Sequence, residues 1–213
     1  MAYNDFTLMG LKQQFGLQIR EEGNLFGPNA PVPISDLLRQ CLQEYVPLAL
    51  DISTEKARSE FIIAPILAEV RRQLDGRISL FSGVEFNVDI EQGLRGVCDF
   101  LFSLSPLQMA IEAPVVAIVE AKNENIKQGT VQCIAELVAA QQFNREQGNP
   151  IRTVYGAVTT GSIWKFLRLQ ESLVTVDTSE YYVKEVEKIV GIMVTVLREA
   201  ALQSLRPGDD DRP

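Results

Sequence analysis

The residues of this 213-residue chain best suited to chemistry lie at the end of one apolar stretch. The run Pro-Val-Val-Ala-Ile-Val directly precedes Glu120-Ala121-Lys122, and a second apolar run upstream contains a single acid, Asp99. Successive side chains of a β-strand point to opposite faces, so Glu120 and Lys122 would share a face, about 7 Å apart along the strand. Unpaired charge away from water is costly, so Asp99 could stand beside them from a neighbouring strand. Two carboxylates and a lysine converging there predict a site for a hard divalent cation that activates water.

Apolar periodicity predicts the elements that position these residues. We predict strands at 79–90, 97–104, 115–121, 152–158, 163–169 and 173–176, and helices at 5–16, 35–46, 53–75, 125–143 and 179–204. The strand at 115–121 is apolar on both faces, which indicates a central strand covered by helices on both sides. Glycines and prolines predict a loop at 21–34, and Pro65 is expected to kink or divide its helix.

The element order and the charged residues together resemble the PD-(D/E)XK nuclease superfamily, which has the restriction-endonuclease-like fold. In that family an Asp on one strand precedes a Glu-x-Lys on the next, here Asp99 and Glu120-Ala121-Lys122. The order over residues 53–176 resembles the family's α-β-β-β-α-β core. The run Gly96-Val97-Cys98-Asp99 is similar to the Gly-x-x-Asp of RecB-like members, with Cys98 in place of the name-giving proline. The hairpin at 156–169 looks like those in type I restriction subunits.

The resemblance implies an α/β fold with a mixed central sheet flanked by helices, extra N-terminal helices and a long C-terminal helix. It divides the chain into an N-terminal helical extension over 1–50, a nuclease-like domain over 51–205 and a disordered tail over 206–213.

The resemblance also implies a function, the hydrolysis of phosphodiester bonds in a nucleic acid, with DNA as the expected substrate and Mg²⁺ or Mn²⁺ as cofactor. The implied metal ligands are Asp99, Glu120, the Ala121 carbonyl and Glu60 on the preceding helix. A solvated glutamate on a helix face is the alternative for Glu60.

Two further residues have implied roles in the reaction. Lys122 would orient the attacking water or stabilise the transition state as a fixed cation. Gln132, one helix later, would orient Lys122 or the substrate, as in RecB-like nucleases. The alternative for Gln132 is an ordinary solvated helix residue.

Composition excludes several other classes of protein. The chain contains no histidine, which excludes Ser-His-Asp and Cys-His hydrolases and histidine-ligated zinc enzymes. Its net charge of −8 argues against a broad basic groove for nucleic acid but not against a local one. No apolar run approaches the roughly 20 residues that span a bilayer. Cys41, Cys98 and Cys133 are expected to be reduced thiols of a cytoplasmic protein.

Three alternatives to a nuclease remain open from the sequence. The charged residues could form only an ion-paired strand end. The chain could be a non-catalytic binding or dimerisation module with a nuclease-like fold. It could also be a metal-dependent phosphohydrolase acting on small phosphate esters. A homodimer is one expected assembly, since many such nucleases cut two strands.

Overall fold

A mixed sheet of eight strands forms the centre of the computed structural model, which describes residues 1–149 and 151–204. The strands are β1 (Gln18–Glu22), β2 (Ser79–Glu85), β3 (Val97–Ser103), β4 (Val115–Ala121), β5 (Thr153–Thr159), β6 (Ile163–Gln170), β7 (Leu173–Asp177) and β8 (Tyr181–Tyr182). Their order is β1-β7-β6-β5-β4-β3-β2, and β8 also pairs with β6. The β4–β5 and β1–β7 pairs are parallel, and the other pairs are antiparallel.

Helices cover both faces of the sheet. They are α1 (Leu8–Phe15), α2 (Asp36–Ile52), α3 (Glu55–Arg58), α4 (Ala64–Gln73), α5 (Ile126–Glu146) and α6 (Val186–Ser204). Apolar side chains of α2, α4 and α6 pack on one face, and those of α1 and α5 pack on the other. Every residue of β4 is buried, which confirms the predicted central strand. The structure therefore confirms the α/β class, the mixed sheet and the C-terminal helix.

The segment before β2 is one helical stretch with a wide turn in the middle. Thr54 caps it by accepting a hydrogen bond from the Ala57 N–H. Between α3 and α4, residues Ser59–Ile63 form a π-helix in which the Ala64 N–H donates to the Ser59 carbonyl. Proline has no N–H to donate and crowds the preceding turn. The wide turn just before Pro65 therefore absorbs the predicted kink without ending the helix.

The structure differs from the predicted elements mainly at the edges of the sheet. The N-terminal region is not purely helical, because β1 joins the sheet beside β7. The helix predicted to end near residue 46 continues to Ile52, across the expected boundary at residue 50. The strand predicted over 79–90 ends at Glu85. The C-terminal helix begins at Val186, after β8 and a short 3-10 turn.

The predicted tail at 206–213 lies outside the described residues. Among the helices that the structure describes, none combines the length and the apolar character needed to cross a membrane.

Candidate functional site

The strand ends of β3 and β4 bring the predicted charged residues together. These strands are antiparallel, with Phe100 opposite Val119, so Asp99 and Glu120 meet on the face covered by α5. Asp99 Oδ2 accepts a hydrogen bond of 2.8 Å from the Ala121 N–H. Glu120 Oε1 lies 2.5 Å from the Nζ of Lys122. Both carboxylates are therefore held at one end of the sheet with the lysine beside them.

A cavity of about 380 Å³ opens beside these side chains. Its lining residues are Ala2, Tyr3, Asn4, Gly96, Val97, Asp99, Glu120, Lys122 and Gln132. The four residues predicted to be catalytic, Asp99, Glu120, Lys122 and Gln132, thus share one cavity.

The N-terminal segment supplies one wall of the cavity, which the sequence analysis did not anticipate. The Tyr3 N–H donates to the Arg95 carbonyl at 3.0 Å, and the Tyr3 hydroxyl donates to the Phe86 carbonyl. Gly96 has φ of 147°, and a Cβ there would lie 2.9 Å from the Tyr3 ring. Glycine at this position therefore allows Tyr3 to pack directly against the hairpin before β3.

Helix α5 covers the site closely because Gly129 faces the sheet. A Cβ at Gly129 would lie 2.7 Å from both Lys122 Cγ and Val158 Cγ1. The Lys122 N–H in turn donates to the Thr159 carbonyl of β5 at 2.8 Å. The lysine is thus fixed at its backbone by β5 and along its stem by α5, and its side chain keeps 20% exposure toward the cavity.

Burial dominates the electrostatics of the site. Burial and the neighbouring Asp99 raise the pKa of Glu120 to about 8, against the opposing attraction of Lys122. Burial also raises the pKa of Asp99, although the hydrogen bond from Ala121 and the charge of Lys122 oppose it. Burial would lower the pKa of Lys122, but attraction to Glu120, Asp99 and Glu55 outweighs it and raises the pKa. The lysine is therefore a stable cation.

A third acid, Glu136, lies directly behind Glu120 and was not predicted to belong to the site. It is fully buried on α5, and its Oε1 accepts a hydrogen bond of 3.1 Å from Gln132 Nε2. Burial and the charge of Glu120 hold the pKa of Glu136 well above its usual value. The spacing of Gln132 and Glu136, one helical turn apart, is the signal in the sequence that could have pointed to it.

The structure places a different helix acid near the site from the one predicted. Glu60 is exposed and pairs with Lys56 at 2.6 Å, one turn away on the same helical stretch. Glu55 instead accepts a hydrogen bond of 3.0 Å at Oε2 from the Asn123 N–H, directly after Lys122. Its charge also acts on Asp99 and Lys122. Glu55 directly follows the helix cap Thr54. Its side chain therefore lies in the first turn of the helix, from which it contacts the backbone of Asn123.

Asp99 and Glu120 could supply two carboxylates to a hard divalent cation that takes the rest of its coordination from water or substrate. Across residues 1–149 and 151–204, no three Asp, Glu, Cys or His side chains are grouped to hold a metal ion. However, Mg²⁺ is commonly bound by one or two carboxylates together with waters and substrate phosphates. Glu120 Oε2 is buried, and no group in the described part of the chain donates a hydrogen bond to it. An acidic oxygen that receives no N–H or hydroxyl hydrogen bond could serve as a cation ligand.

Comparisons of this chain with known protein families, with characterised proteins and with solved structures found no match.

Proposed function

We propose that this chain is a metal-dependent nuclease with a restriction-endonuclease-like core, and that it hydrolyses phosphodiester bonds in DNA. One observation carries the proposal: Asp99, Glu120 and Lys122 converge from two adjacent strand ends on one cavity. The sequence of α3–α4, β2, β3, β4, α5 and β5, with β4 and β5 parallel, supports the core assignment because it matches the expected order.

Asp99 and Glu120 would hold Mg²⁺ or Mn²⁺, with the Ala121 carbonyl as a further oxygen donor. When bound, the metal would supply an activated water and neutralise charge on the scissile phosphate. Lys122 contributes a fixed cation whose raised pKa keeps it charged at neutral pH. Because Lys122 is held along its stem by α5, its charge is available in place and needs little reorganisation to stabilise a developing negative charge.

Gln132 contributes through its position on the cavity wall. Its amide donates to Glu136, and the side chain also faces the cavity. It can therefore contact a substrate while remaining oriented by the buried acid.

A cleavage assay tests the proposal. Single-stranded DNA, double-stranded DNA and RNA are incubated with Mn²⁺ or Mg²⁺, with EDTA as the metal-free comparison. Wild type should cleave DNA with either metal, and Lys122→Ala should reduce the rate by about 10²–10³-fold, the range seen when one charge-stabilising donor is removed. Lys127→Ala, which removes an exposed lysine on α5, is the matched control and should retain cleavage.

The same assay separates the nuclease from a non-catalytic binding module. The close ion pair of Glu120 with Lys122 and the net charge of −8 favour that second candidate. Absence of cleavage by wild type with both metals would support the binding module. Equal cleavage by wild type and Lys122→Ala would instead contradict the role proposed for Lys122. Cleavage of a small phosphate ester but of no polynucleotide would instead indicate a phosphohydrolase.

A further inference from the structure

Glu136 is an acid in a place where an acid is costly. Its side chain is fully buried on α5, and no lysine or arginine within residues 1–149 and 151–204 forms an ion pair with it. Burying a carboxyl group without a cation costs free energy even when the group is neutral, because its polar oxygens lose their contact with water. Leucine would fill this space without that cost, so packing alone does not account for the residue.

The carboxyl group of Glu136 packs against that of Glu120. Each group has one oxygen committed to a neighbour: Glu136 Oε1 accepts from Gln132, and Glu120 Oε1 pairs with Lys122. The other oxygen of each group, Oε2, is buried and receives no N–H or hydroxyl hydrogen bond from the residues that the structure describes, and the two carboxyl groups contact each other. The side chains of Gln132, Glu136, Glu120 and Lys122 therefore form one continuous line of polar contacts from α5 to the end of β4.

This line controls where the Glu120 carboxylate can point. Without a polar group behind it, Glu120 could rotate so that both oxygens face Lys122, which would withdraw the carboxylate from Asp99. Glu136 occupies the space behind Glu120, and Gln132 fixes Glu136 in turn at 3.1 Å. Neither residue would need to touch the metal or the scissile phosphate to have this effect.

We propose that Glu136 is a positioning residue that holds the Glu120 carboxylate toward Asp99 and the cavity, with Gln132 as its own support. The inference rests on the proposed function, because it assigns a role to Glu136 only if Glu120 binds a cation.

Mn²⁺ binding, followed by the electron paramagnetic resonance signal of the free ion, tests the inference without relying on cleavage. Glu136→Leu removes the polar contact and should weaken Mn²⁺ binding by about 10–100-fold, as changes behind a metal ligand typically do. Glu136→Gln keeps an amide that can contact both Gln132 and Glu120, and should bind Mn²⁺ close to the wild-type affinity. In cleavage, Glu136→Leu should lower kcat and leave the KM for DNA unchanged.

A matched control separates positioning from simple loss of stability. Asp177 is also a fully buried acid, but it accepts hydrogen bonds from the backbone of Phe26 and Ser179 and from the Tyr181 hydroxyl, away from the site. Asp177→Asn should lower the melting temperature while leaving Mn²⁺ affinity at the wild-type value.

Four outcomes would overturn the inference. Wild-type Mn²⁺ affinity in Glu136→Leu would show that Glu136 only occupies space in the core. Equal losses of Mn²⁺ affinity in Glu136→Gln and Glu136→Leu would show that the polar contact does not matter. If Glu136→Leu does not fold, Gln132→Leu tests the same line of contacts, and unchanged Mn²⁺ binding there would contradict it. Failure of wild type itself to bind Mn²⁺ would instead remove the proposed function and the inference with it.

Discussion

At the scale of single residues, the site is organised by an excess of negative charge. Three acids lie in a row through the site, namely Asp99, Glu120 and Glu136. Lys122 is the only cation among the described residues that line the cavity. Burial is the main cause of the raised pKa of each carboxyl group, and repulsion from nearby acids adds to it. A bound divalent cation would relieve this repulsion. The closely spaced acids would therefore lower stability without metal and favour metal binding.

The first prediction distinguishes the two helix acids. Glu55→Gln should weaken Mn²⁺ binding by about tenfold, because Glu55 acts on the site through its charge and its contact with Asn123. Glu60→Gln should leave Mn²⁺ binding unchanged, because Glu60 is exposed and paired with Lys56. Titration of both variants with Mn²⁺ measures the difference. A larger loss in Glu60→Gln than in Glu55→Gln would restore the acid predicted from the sequence as the ligand.

The second prediction concerns stability at low pH. Glu69 is a buried residue of α4, and its carboxylate accepts hydrogen bonds from Ser35, the cap residue of α2. Burial would raise its pKa, but hydrogen bonds from Arg72, Ser35 and Gln73 hold it at about 2. Its folded pKa is below the usual value of 4.5, so its stabilisation is present above that value and is lost as the pH falls through about 2. Glu69→Gln should therefore cost about 1.5–3 kcal/mol near neutral pH.

Urea unfolding of wild type and Glu69→Gln at a series of pH values checks this sign. The free-energy difference between the two proteins should shrink steadily as the pH falls below the usual glutamate pKa. Glu187→Gln removes a partly exposed partner of Arg39 at 3.4 Å and is the control, with an expected cost of about 0–1 kcal/mol. A difference for Glu69→Gln that stays constant into the acid range would contradict the assigned role.

Residue-level inference from sequence reached the charged strand end but not what lies behind it. Asp99, Glu120 and Lys122 could be predicted because they interrupt or end apolar runs, where a charge is unusual. Glu136 could not, since a glutamate on a helix is ordinarily solvated. Its burial depends on how α5 meets the sheet and the N-terminal segment, and that contact is set by tertiary packing rather than by local pattern.

At the scale of elements, α5 determines the geometry of the site through small residues facing the sheet. Gly129 lies over Lys122 and Val158, and Gly156 of β5 lies under Cys133, where a Cβ would come within 2.8 Å of the sulfur. The absence of side chains at these two positions lets α5 sit close to β4 and β5. The distance between helix and sheet therefore sets the position of Lys122.

The third prediction distinguishes a loss of packing between α5 and the sheet from a displacement of Lys122. Gly129→Ala should cost about 1–3 kcal/mol by overpacking and should also displace Lys122, so cleavage should fall sharply. Gly156→Ala should cost a similar amount of stability, because it crowds Cys133 and Leu167, but should retain cleavage. Thermal unfolding and cleavage rates of both variants make the comparison. Equal cleavage in the two variants would show that the close approach at Gly129 does not position Lys122.

The central elements could be predicted from sequence, and the edge elements could not. The strand β4 is apolar apart from Glu120 near its end, so its buried place in the sheet follows directly from composition. The strand β1 reads Gln-Ile-Arg-Glu-Glu and is mostly exposed, because it lies at the edge of the sheet. Its partner is β7, about 150 residues away along the chain by the pairing of Gln18 with Leu173. Short polar edge strands carry no periodic apolar signal, and their pairing is decided by the rest of the fold.

At the scale of the whole molecule, the proposed function requires an acidic protein to bind an acidic substrate. The net charge of −8 gives no long-range attraction to DNA. If the protein is the proposed nuclease, its affinity for DNA would therefore come from short-range contacts and from the metal. A cation bound at the site would stabilise the charge of the reacting phosphate. It would also bridge the protein and the DNA, which would make substrate binding favourable.

The fourth prediction follows from linking metal binding to folding. A ligand that binds only the folded state at about 100 times its Kd adds about 2.7 kcal/mol of stability. For a chain of this size, that corresponds to a rise of about 5–10 °C in the melting temperature. Saturating Mn²⁺ should therefore raise the wild-type melting temperature by this amount, measured by differential scanning calorimetry.

Asp99→Asn tests both the stability of the site without metal and the gain in stability from Mn²⁺. The asparagine oxygen can still accept from the Ala121 N–H, but the negative charge beside Glu120 is gone. Without metal, Asp99→Asn should melt at a higher temperature than wild type, because the repulsion between Asp99 and the buried Glu120 is removed. With Mn²⁺, it should show no rise, so that wild type overtakes it. A variant that is less stable than wild type without metal, or that gains as much from Mn²⁺, would show that Asp99 and Glu120 do not form a cation site held at a cost to the fold.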